Sequence, residues 1–394
     1  MPPRSLDVIT DAAGVARVVD DVRQAGRFAV DFEFLWERTY APQPCLAQIA
    51  VRDEVHLIDP IAGAPLAPVA DLIADPGLET IMHAPSADLT LLSLQYGARP
   101  ARMTDVQLIA GFVGLGAGQG LATLLERVLK VRLDKGEQYT DWSRRPLTAK
   151  QLVYAGADVE NLMPLHDELL RRAAAMGRTD WVHEEHARRY GEGARWSPDP
   201  AEAWRRVKGQ GKLSGRDRAV LAALARWREQ EAARRDRPAQ WICPDRTLLE
   251  IARRRPATRE ELMRERGLPE RMRPQDADAM LAAIADGADA APINLPAPPP
   301  PEVAHRLETL GPLGQILVAA RSAEVDLAPS LLATRDEVET YLAAVIAGGD
   351  RESSPLGTGW RHALAGAALE DLAAGRIALG ASPRRPFLRE IPVP

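Results

Sequence analysis

Residues 28–34 of the chain read Phe-Ala-Val-Asp-Phe-Glu-Phe, an alternation of large apolar residues with small or acidic ones. Successive side chains of a β-strand point to opposite faces of the sheet, so this pattern predicts a strand. Its aromatic face would be buried, while Asp31 and Glu33 would lie together on the other face. Two carboxylates placed in this way can share a hard cation. The alternative is the solvated face of a half-buried strand, although adjacent like charges repel unless something neutralises them.

Strand-like and helix-like runs alternate over the first 175 residues. This order predicts a mixed α/β layer domain, which we place at residues 1–200. The further strand-like runs lie at 45–51, 55–58 and 80–83, and the helical patterns lie at about 86–96, 105–113, 120–130 and 148–173.

The rest of the chain is predicted to form two helical blocks. Residues 201–290 carry helical periodicity without a strand pattern, which predicts a small all-α domain. Residues 291–301 are rich in Pro and Ala, so we expect an extended linker there. Helical patterns resume over 302–382 and predict a second small all-α domain. The tail at 383–394 is rich in Pro and Arg and is expected to be poorly ordered.

The composition excludes several classes of protein. The 394 residues are 46% apolar and 27% charged, as in folded globular proteins. Two cysteines are too few for a disulfide framework or a cysteine-rich zinc site. Apolar runs are too short for a membrane span, and the first residues show no secretory leader. We therefore expect a cytoplasmic protein that has no membrane partner.

The formal net charge of −5 hides an uneven distribution. Residues 202–273 contain 20 Arg or Lys against 11 Asp or Glu, so this block is strongly basic. The remainder of the chain is correspondingly acidic. A basic block inside an acidic chain favours a polyanionic partner for that block.

Three further residues carry groups suited to catalysis. Asp88 lies in the first turn of a predicted helix, where a negative charge also stabilises the helix dipole. Tyr154 and Asp158 are four residues apart on another predicted helix and therefore share a face. A buried tyrosine beside an exposed aspartate is the alternative for this pair.

Four carboxylates thus fall on three elements of one predicted domain, where they can converge. Hydrolysis of a phosphodiester by two divalent ions about 4 Å apart requires such a set of ligands. Oxygen-only ligation suits Mg²⁺ or Mn²⁺. A tyrosine hydroxyl beside the ions can orient the attacking water.

These motifs resemble the ribonuclease D family, in the tyrosine subgroup of the DEDD superfamily of 3′–5′ exonucleases. Asp31-x-Glu33 matches the first exonuclease motif, Asp88 the second, and Tyr154-x-x-x-Asp158 the third. The order of the three motifs along the chain is the order found in that family.

Two longer segments extend the resemblance over nearly the whole chain. Residues 133–147, which read LDKGEQYTDWSRRPL, are similar to the segment before the third motif in ribonuclease D. The helical block at about 205–287 resembles the helicase-and-RNase-D C-terminal (HRDC) domain. Residues 327–333 hint at a second, degenerate copy of that domain.

The resemblance implies an RNase H-like α/β exonuclease domain followed by two small all-α HRDC-like domains. It implies a 3′–5′ exoribonuclease that uses two divalent metal ions, Mg²⁺ or Mn²⁺, and releases nucleoside 5′-monophosphates. Carried over from the family, Asp31, Glu33 and Asp158 would bind the water-activating ion. Asp31 with Asp88 would hold the second ion, and Tyr154 would orient the water. The substrates implied are RNAs with a 3′ end, tRNA precursors among them, and one chain could act as a monomer.

Two groups of residues are expected to contact RNA. One group lies in the segment before the third motif, where Trp142 is a candidate stacking surface. Core packing is the alternative for this tryptophan. The second group is basic and could meet phosphates, the alternative being a solvated face. The candidate contacts are Lys135, Thr140, Trp142, Arg205, Arg206, Arg253, Arg254 and Arg255.

Asp105, at the start of a predicted helix, lies where the family often has an acid, and we expect a structural or supporting role for it. Two other functions remain open on the sequence alone. One is a 3′–5′ exonuclease that acts on DNA, because no residue here decides the sugar. The other is a non-catalytic nucleic-acid-binding protein on a retired nuclease fold, which five intact core positions disfavour.

Overall fold

The computed structural model of the protein describes residues 8–133, 136, 140–268 and 272–393. Within these ranges, six strands form one mixed sheet in the N-terminal region, as the α/β prediction requires. The strands are β1 (Val8–Ile9), β2 (Arg27–Leu35), β3 (Gln43–Val51), β4 (Glu54–Ile58), β5 (Glu79–Met82) and β6 (Met103–Asp105).

Helices cover both faces of this sheet. The predicted strands and most predicted helices are present, while the first two helices and the short strands β1 and β6 are additions to the prediction. The helices of this region are α1 (Ala12–Ala25), α2 (Ala67–Ile73), α3 (Ser86–Tyr96), α4 (Val106–Phe112), α5 (Leu121–Val128), α6 (Ala149–Glu160), α7 (Leu162–Ala175) and α8 (Thr179–Tyr190).

The predicted single helix over 148–173 is two helices, α6 and α7, which meet at Asn161. Asn161 has φ −107° and ψ 7°, outside the helical region. Pro164 is the third residue of α7. A proline lacks the amide hydrogen for the helical ladder, and its ring clashes with the carbonyl four residues earlier. A proline is therefore tolerated at the first turn of α7 and would not be tolerated inside one continuous helix.

Strand β2 lies at the centre of the sheet, whose order is β1-β4-β3-β2-β5-β6. It pairs antiparallel with β3 and parallel with β5. Phe28, Val30 and Phe32 are buried in one core, together with residues of α1, α2 and α3. Ala29 is buried in a second core on the opposite face, with residues of α4, α5 and α7. The predicted burial of the aromatic face is confirmed, and the structure adds a second hydrophobic core on the opposite face.

The first helical block folds around its longest helix, α9. Val220 and Leu224 of α9 are buried in one cluster with Leu248 and Met280 of the neighbouring helices. Two 3₁₀ turns, at Pro200–Arg206 and Gln210–Lys212, lead into this domain. Its helices are α9 (Gly215–Arg235), α10 (Ala239–Ile242), α11 (Asp245–Arg254), α12 (Arg259–Leu262) and α13 (Pro274–Asp289).

The second block is helical as predicted, but it ends in a β-hairpin. Strand β8 pairs antiparallel with β7, so the tail expected to be poorly ordered takes part in regular structure. Leu388 packs against the adjoining core, and Glu390 forms an ion pair with Arg321, at 2.8 Å. The elements are α14 (Pro301–Glu324), α15 (Pro329–Leu332), α16 (Arg335–Ala347), α17 (Gly359–Arg361), a π-helical turn (His362–Gly366), α18 (Ala367–Ala373), β7 (Ile377–Ala381) and β8 (Leu388–Pro392).

This second block shares its core with the N-terminal α/β region. The ring of Trp360 stacks on Trp181 of α8 at 4.9 Å and meets the edge of Phe112 of α4 at 5.6 Å. Beside them, the Arg361 guanidinium donates to the buried carboxylate of Glu185. The block at 302–382 is therefore packed against the N-terminal α/β domain and is not connected to it by the linker alone.

None of the described helices combines the length and the apolar composition that crossing a membrane requires.

Candidate active site

Three of the four predicted acids converge on one point beside the central strand. Asp31 and Glu33 extend from the same face of β2, and Asp158 extends from α6. One carboxylate oxygen from each residue lies within 4.8 Å of the other two. The strand pattern and the helix spacing thus produce the cluster that they predict.

Helix α6 can approach the sheet closely because its inner face is small. Ala155 and Gly156 are buried, and Ala155 packs in one cluster with Leu46 of β3 and Leu57 of β4. Thr148 and Gln151 form a capping box at the start of the helix, which fixes where it begins.

Asp88 reaches the same region from the opposite side of β2. Ala29 of β2 is in register with Ile81 of β5, so the chain that leaves β5 runs beside Asp31. Helix α3 begins four residues after the end of β5, and Asp88 lies in its first turn, 7% exposed. Its negative charge raises the pKa of both strand acids, which places it in the same electrostatic cluster.

Asp105 holds the turn that leads to Asp88. Its carboxylate accepts hydrogen bonds from the amide of Ala84 at 3.0 Å and from the amide of Gln107 at 2.9 Å. The Tyr190 hydroxyl donates to the second oxygen at 2.8 Å. Ala84 has φ +52°, a conformation that costs energy in a residue with a side chain, so the bond to its amide helps to fix this turn. The structural role expected for Asp105 is confirmed.

Burial raises the pKa of every acid in the cluster, and the charges of neighbouring acids raise the pKa of Asp31 and of Glu33 further. Burial, followed by the charges of the other three acids, raises the pKa of Asp31 well above its ordinary value. Burial and then the charges of Asp158 and Asp88 raise the pKa of Glu33 to about 8. Burial raises the pKa of Asp88 to about 7 and that of Asp158 to about 7. Four such acids are unfavourable together as anions unless a cation neutralises them.

The donor set fits a hard divalent cation. All four side chains offer carboxylate oxygens, and a hydroxyl lies next to them on Tyr154. Oxygen ligands are preferred by Mg²⁺ and Mn²⁺ rather than by softer metals. The repulsion that raises the acid pKa values is the electrostatic state that a bound cation would relieve.

Comparisons with known proteins identify relatives of this chain over nearly its whole length. A family model described as a 3′-5′ exonuclease matches residues 6–174, and an HRDC domain model matches residues 217–284. The chain is 35% identical over 388 residues to a ribonuclease D of Acidiphilium cryptum, covering 98% of this chain and 97% of that protein. The chain belongs to the ribonuclease D family.

Further relatives show the same full-length correspondence. A ribonuclease D of Sphingobium indicum is 34% identical over 379 residues, covering 94% of this chain and 95% of that one. The crystal structure of Escherichia coli RNase D, described as an exoribonuclease involved in structured RNA processing, is 28% identical. It superposes with a TM-score of 0.77 and covers 94% of this chain and 99% of that one. The predicted 3′–5′ exoribonuclease with an α/β exonuclease domain and an HRDC domain is confirmed, while the HRDC-like character of 302–382 stays a prediction.

Within this ribonuclease D fold, the position of Trp142 contradicts the expectation that it is a stacking surface for RNA. Its side chain is only 3% exposed and packs against Tyr154 with 6.0 Å between ring centroids. The ring is part of the small core under α6, so the core-packing alternative holds and no face is open to a base. Thr140 lies close by and bonds to the side-chain amide of Gln151 at 3.2 Å. Lys135 lies outside the described residues.

Arg145 fastens the segment that carries Trp142 to the sheet. Its guanidinium donates to both oxygens of Asp59, at 2.5 and 2.7 Å, and to the backbone carbonyl of Cys45 at 2.6 Å. It also donates to the carbonyl of Trp142 at 2.8 Å. Asp59 is 4% exposed, so this is a largely buried ion pair between two distant parts of the chain.

The basic residues expected to meet phosphates are each paired with an acid. All of them are at least one-third exposed, so their donors remain partly open to solvent. The pairs are Arg205 with Glu202, Arg206 with Glu229, Arg253 with Glu250, Arg254 with Glu265, and Arg255 with Asp217.

The sequence reasoning missed one exposed aromatic residue of this nuclease domain. Trp36 follows the end of β2, three residues after Glu33, and is 43% exposed. The sequence feature that could have indicated this residue is its position directly after the strand that carries Asp31 and Glu33. The sequence could not show which of the eight tryptophans in the chain stays open to solvent.

Proposed function

We propose that Asp31, Glu33, Asp88, Tyr154 and Asp158 form the active site of a metal-dependent exoribonuclease. The site would remove nucleoside 5′-monophosphates from the 3′ end of RNA. The observation that carries this proposal is the convergence of three carboxylates within 4.8 Å, with Asp88 coupled to them by charge.

The acids divide into two sets of ligands in this proposal. Asp31, Glu33 and Asp158 would hold one divalent ion, and Asp31 with Asp88 would hold a second, both Mg²⁺ or Mn²⁺. Bound ions of this kind lower the pKa of a coordinated water and stabilise the leaving oxygen. Asp31 is the shared ligand, which agrees with its place beside all three other acids.

Tyr154 would orient the attacking water. Burial and the charges of the neighbouring acids raise the pKa of Tyr154, so its hydroxyl keeps its proton at neutral pH. That proton is donated to Asp158, which leaves the lone pairs of the hydroxyl oxygen free to accept from a water.

The substrate class follows from the family and from the charge distribution. We propose single-stranded 3′ ends of structured RNAs, tRNA precursors among them, processed by a monomer in the cytoplasm. Phosphate contacts would come from the exposed basic side chains and from the segment before α6. The proposed contacts are Lys135, Thr140, Arg205, Arg206, Arg253, Arg254 and Arg255.

A direct assay tests the proposed function. An RNA labelled at its 5′ end should shorten stepwise in Mn²⁺ or Mg²⁺ and release nucleoside 5′-monophosphates. Excess EDTA should stop the reaction. Unchanged degradation in EDTA would overturn the metal-dependent mechanism, and an intact RNA with every divalent ion would favour the non-catalytic alternative. If a DNA of the same sequence is degraded equally well, the alternative of a 3′–5′ exonuclease that acts on DNA is favoured instead.

A further inference from the structure

A groove of about 570 Å³ opens between the exonuclease domain and the start of the first helical domain. We call it the interdomain groove. Trp36 and Thr90 line it from the exonuclease domain, Arg195 and Trp196 from the connecting segment, and Arg206 from the 3₁₀ turn before α9. The residues on its two sides are between 105 and 170 positions apart in the sequence, so only the folded chain forms it.

Two residues that line the groove lie close in the chain to acids of the carboxylate cluster. Trp36 is three residues from Glu33, so their Cα atoms are at most about 11 Å apart. Thr90 is two residues from Asp88, which limits that separation to about 7 Å. Stacked nucleotides advance by about 3.4 Å each, so the backbone separation of Trp36 from Glu33 corresponds to at most about three stacked nucleotides.

Trp36 is held in the groove by hydrogen bonds rather than by burial. Its indole Nε1 donates to the carbonyl of Tyr40 at 3.0 Å while the ring stays 43% exposed. The amides of Tyr40 and Ala41 in turn donate to Asp236 at the end of α9, at 3.0 and 3.2 Å. The Tyr40 hydroxyl donates to Glu229 of α9 at 3.0 Å. Helix α9 therefore fixes the loop that presents the indole.

The rest of the groove suits a base better than an isolated phosphate. Trp196 forms part of the wall and is backed by Tyr190, with rings stacked at 5.6 Å. Arg195 pairs with Asp199 at 2.6 Å, so the net positive charge inside the groove is small. Exposed aromatic rings bind single-stranded nucleic acid by stacking, and every base offers a face for this. A base inside a duplex is already stacked and offers no free face.

We propose that the interdomain groove binds one base of the single-stranded 3′ segment of RNA, a few nucleotides upstream of the bond that is cut. Trp36 is the stacking surface, and Tyr40 and Asp236 are positioning residues that hold it. The inference rests on the proposed function of the carboxylate cluster, because that cluster defines where the 3′ end lies.

The binding test uses a ten-nucleotide oligoadenylate in EDTA, with anisotropy as the readout and a gel to show that the RNA stays intact. Trp36→Ala should raise the dissociation constant about 5- to 100-fold, the range expected for the loss of one stacked base. Trp36→Phe should retain most of the affinity, because it keeps a ring. Phe387→Ala removes another exposed aromatic, 66% exposed in the C-terminal hairpin, and should leave the affinity unchanged.

Single abasic sites identify the stacked base. One abasic site among the four 3′-terminal nucleotides should weaken binding to the wild type and have no effect on Trp36→Ala. An abasic site at that same nucleotide should also have no effect on binding to Asp236→Ala. This variant frees the loop that presents the indole but keeps the ring of Trp36. Additive losses at every position, or a Trp36→Ala variant that binds as tightly as the wild type, would overturn the proposal.

A substrate that has no upstream base distinguishes an effect on the groove from an effect on the catalytic centre. Hydrolysis of a nucleoside 5′-(p-nitrophenyl phosphate) should proceed at the wild-type rate in Trp36→Ala. Equal loss on this substrate and on the oligonucleotide would mean that Trp36 acts through Glu33, which contradicts a base-binding role. If the wild type hydrolyses neither substrate, the proposed function fails, while the abasic scan still reports on the groove by itself.

Discussion

The Tyr154 hydroxyl donates a hydrogen bond to the carboxylate of Asp158, one turn further along α6. This bond lowers the pKa of Asp158 and opposes the larger effect of burial, which raises it. The tyrosine thus favours the anionic form that a metal ligand needs, while its own proton is retained.

Tyr154→Phe removes the hydroxyl and leaves the ring that packs against Trp142. We expect kcat on RNA to fall about 10- to 100-fold, the usual cost of losing a partner that supports a metal ligand. The dissociation constant for RNA should change little, because the phenyl ring keeps its packing. Tyr96→Phe, at the end of α3, is the matched control and should leave kcat unchanged. A kcat within twofold of the wild type would remove Tyr154 from the mechanism.

Asp31→Asn removes the charge at the centre of the acidic cluster and preserves the shape of the side chain. Turnover should fall more than about 100-fold, since a direct ligand matters more than its supporting groups. In EDTA at pH 8 the variant should unfold at a higher temperature than the wild type, because it lacks one of four repelling charges. Asp158→Asn should behave in the same way. Asp20→Asn, on the exposed face of α1, is the control, and near-normal turnover by Asp31→Asn would refute the assignment.

The raised acid pKa values predict how metal and pH act together on stability. Unfolded Asp and Glu titrate near pH 4, whereas Glu33 in the folded chain titrates near pH 8 and Asp88 near pH 7. The folded protein without metal therefore holds more protons than the unfolded chain between these values. Its stability should fall as the pH rises from about 4 to 8.

Magnesium should counteract this loss, because it binds the ionised acids. The increase in melting temperature on adding Mg²⁺ should therefore grow from pH 5.5 to pH 8.5, as measured by thermal unfolding in Mg²⁺ and in EDTA. In Asp31→Asn the increase should be smaller at every pH. An increase that stays constant across this pH range would show that the acids do not titrate as a metal site.

The parts of the site that sequence predicts are those encoded by local periodicity. Asp31 and Glu33 share a face because a strand repeats every two residues, and Tyr154 and Asp158 share one because a helix repeats every 3.6. The approach of Asp88 depends instead on the pairing of β5 with β2, in which Ala29 meets Ile81. Because parallel strands need a crossover connection, this pairing joins residues far apart in the sequence, and the period-two pattern of β2 alone does not show which strand it pairs with.

The sequence predictions that the structure corrects also fail for physical reasons. The break at Asn161 is marked by Pro164, but the helical periodicity on both sides hides it. The prediction that Trp142 is a stacking surface is wrong because the ring is buried under α6. This helix follows Trp142 in the chain and folds back over it. The tail residue Leu388 is ordered by a core that the sequence does not place beside it.

The exposed arginines predict a measurable change in the salt dependence of RNA binding. For single strands, the slope of log affinity against log salt changes by about 0.7 for each phosphate contact. Arg254→Gln removes a side chain that is 63% exposed and should reduce the slope by about this amount if it meets a phosphate as proposed. Arg132→Gln, which is 87% exposed in the exonuclease domain, is the control for general charge effects. Identical slopes for the two variants would show that Arg254 serves only its partner Glu265.

Arg145 and Arg144 are adjacent in the sequence and differ in burial, which allows a matched comparison. Arg145→Met should lower the free energy of unfolding by about 3 kcal/mol, because it leaves the carboxylate of Asp59 buried without its cation. Arg144→Met breaks a pair with Asp141 in which the arginine is 84% exposed, and should cost less than about 0.5 kcal/mol. Urea unfolding with equal m-values measures both. Arg145→Met should also lower kcat, because the segment that it fastens packs Trp142 against Tyr154. Equal losses of stability in the two variants would mean that the contact between Arg145 and Asp59 does not anchor this segment.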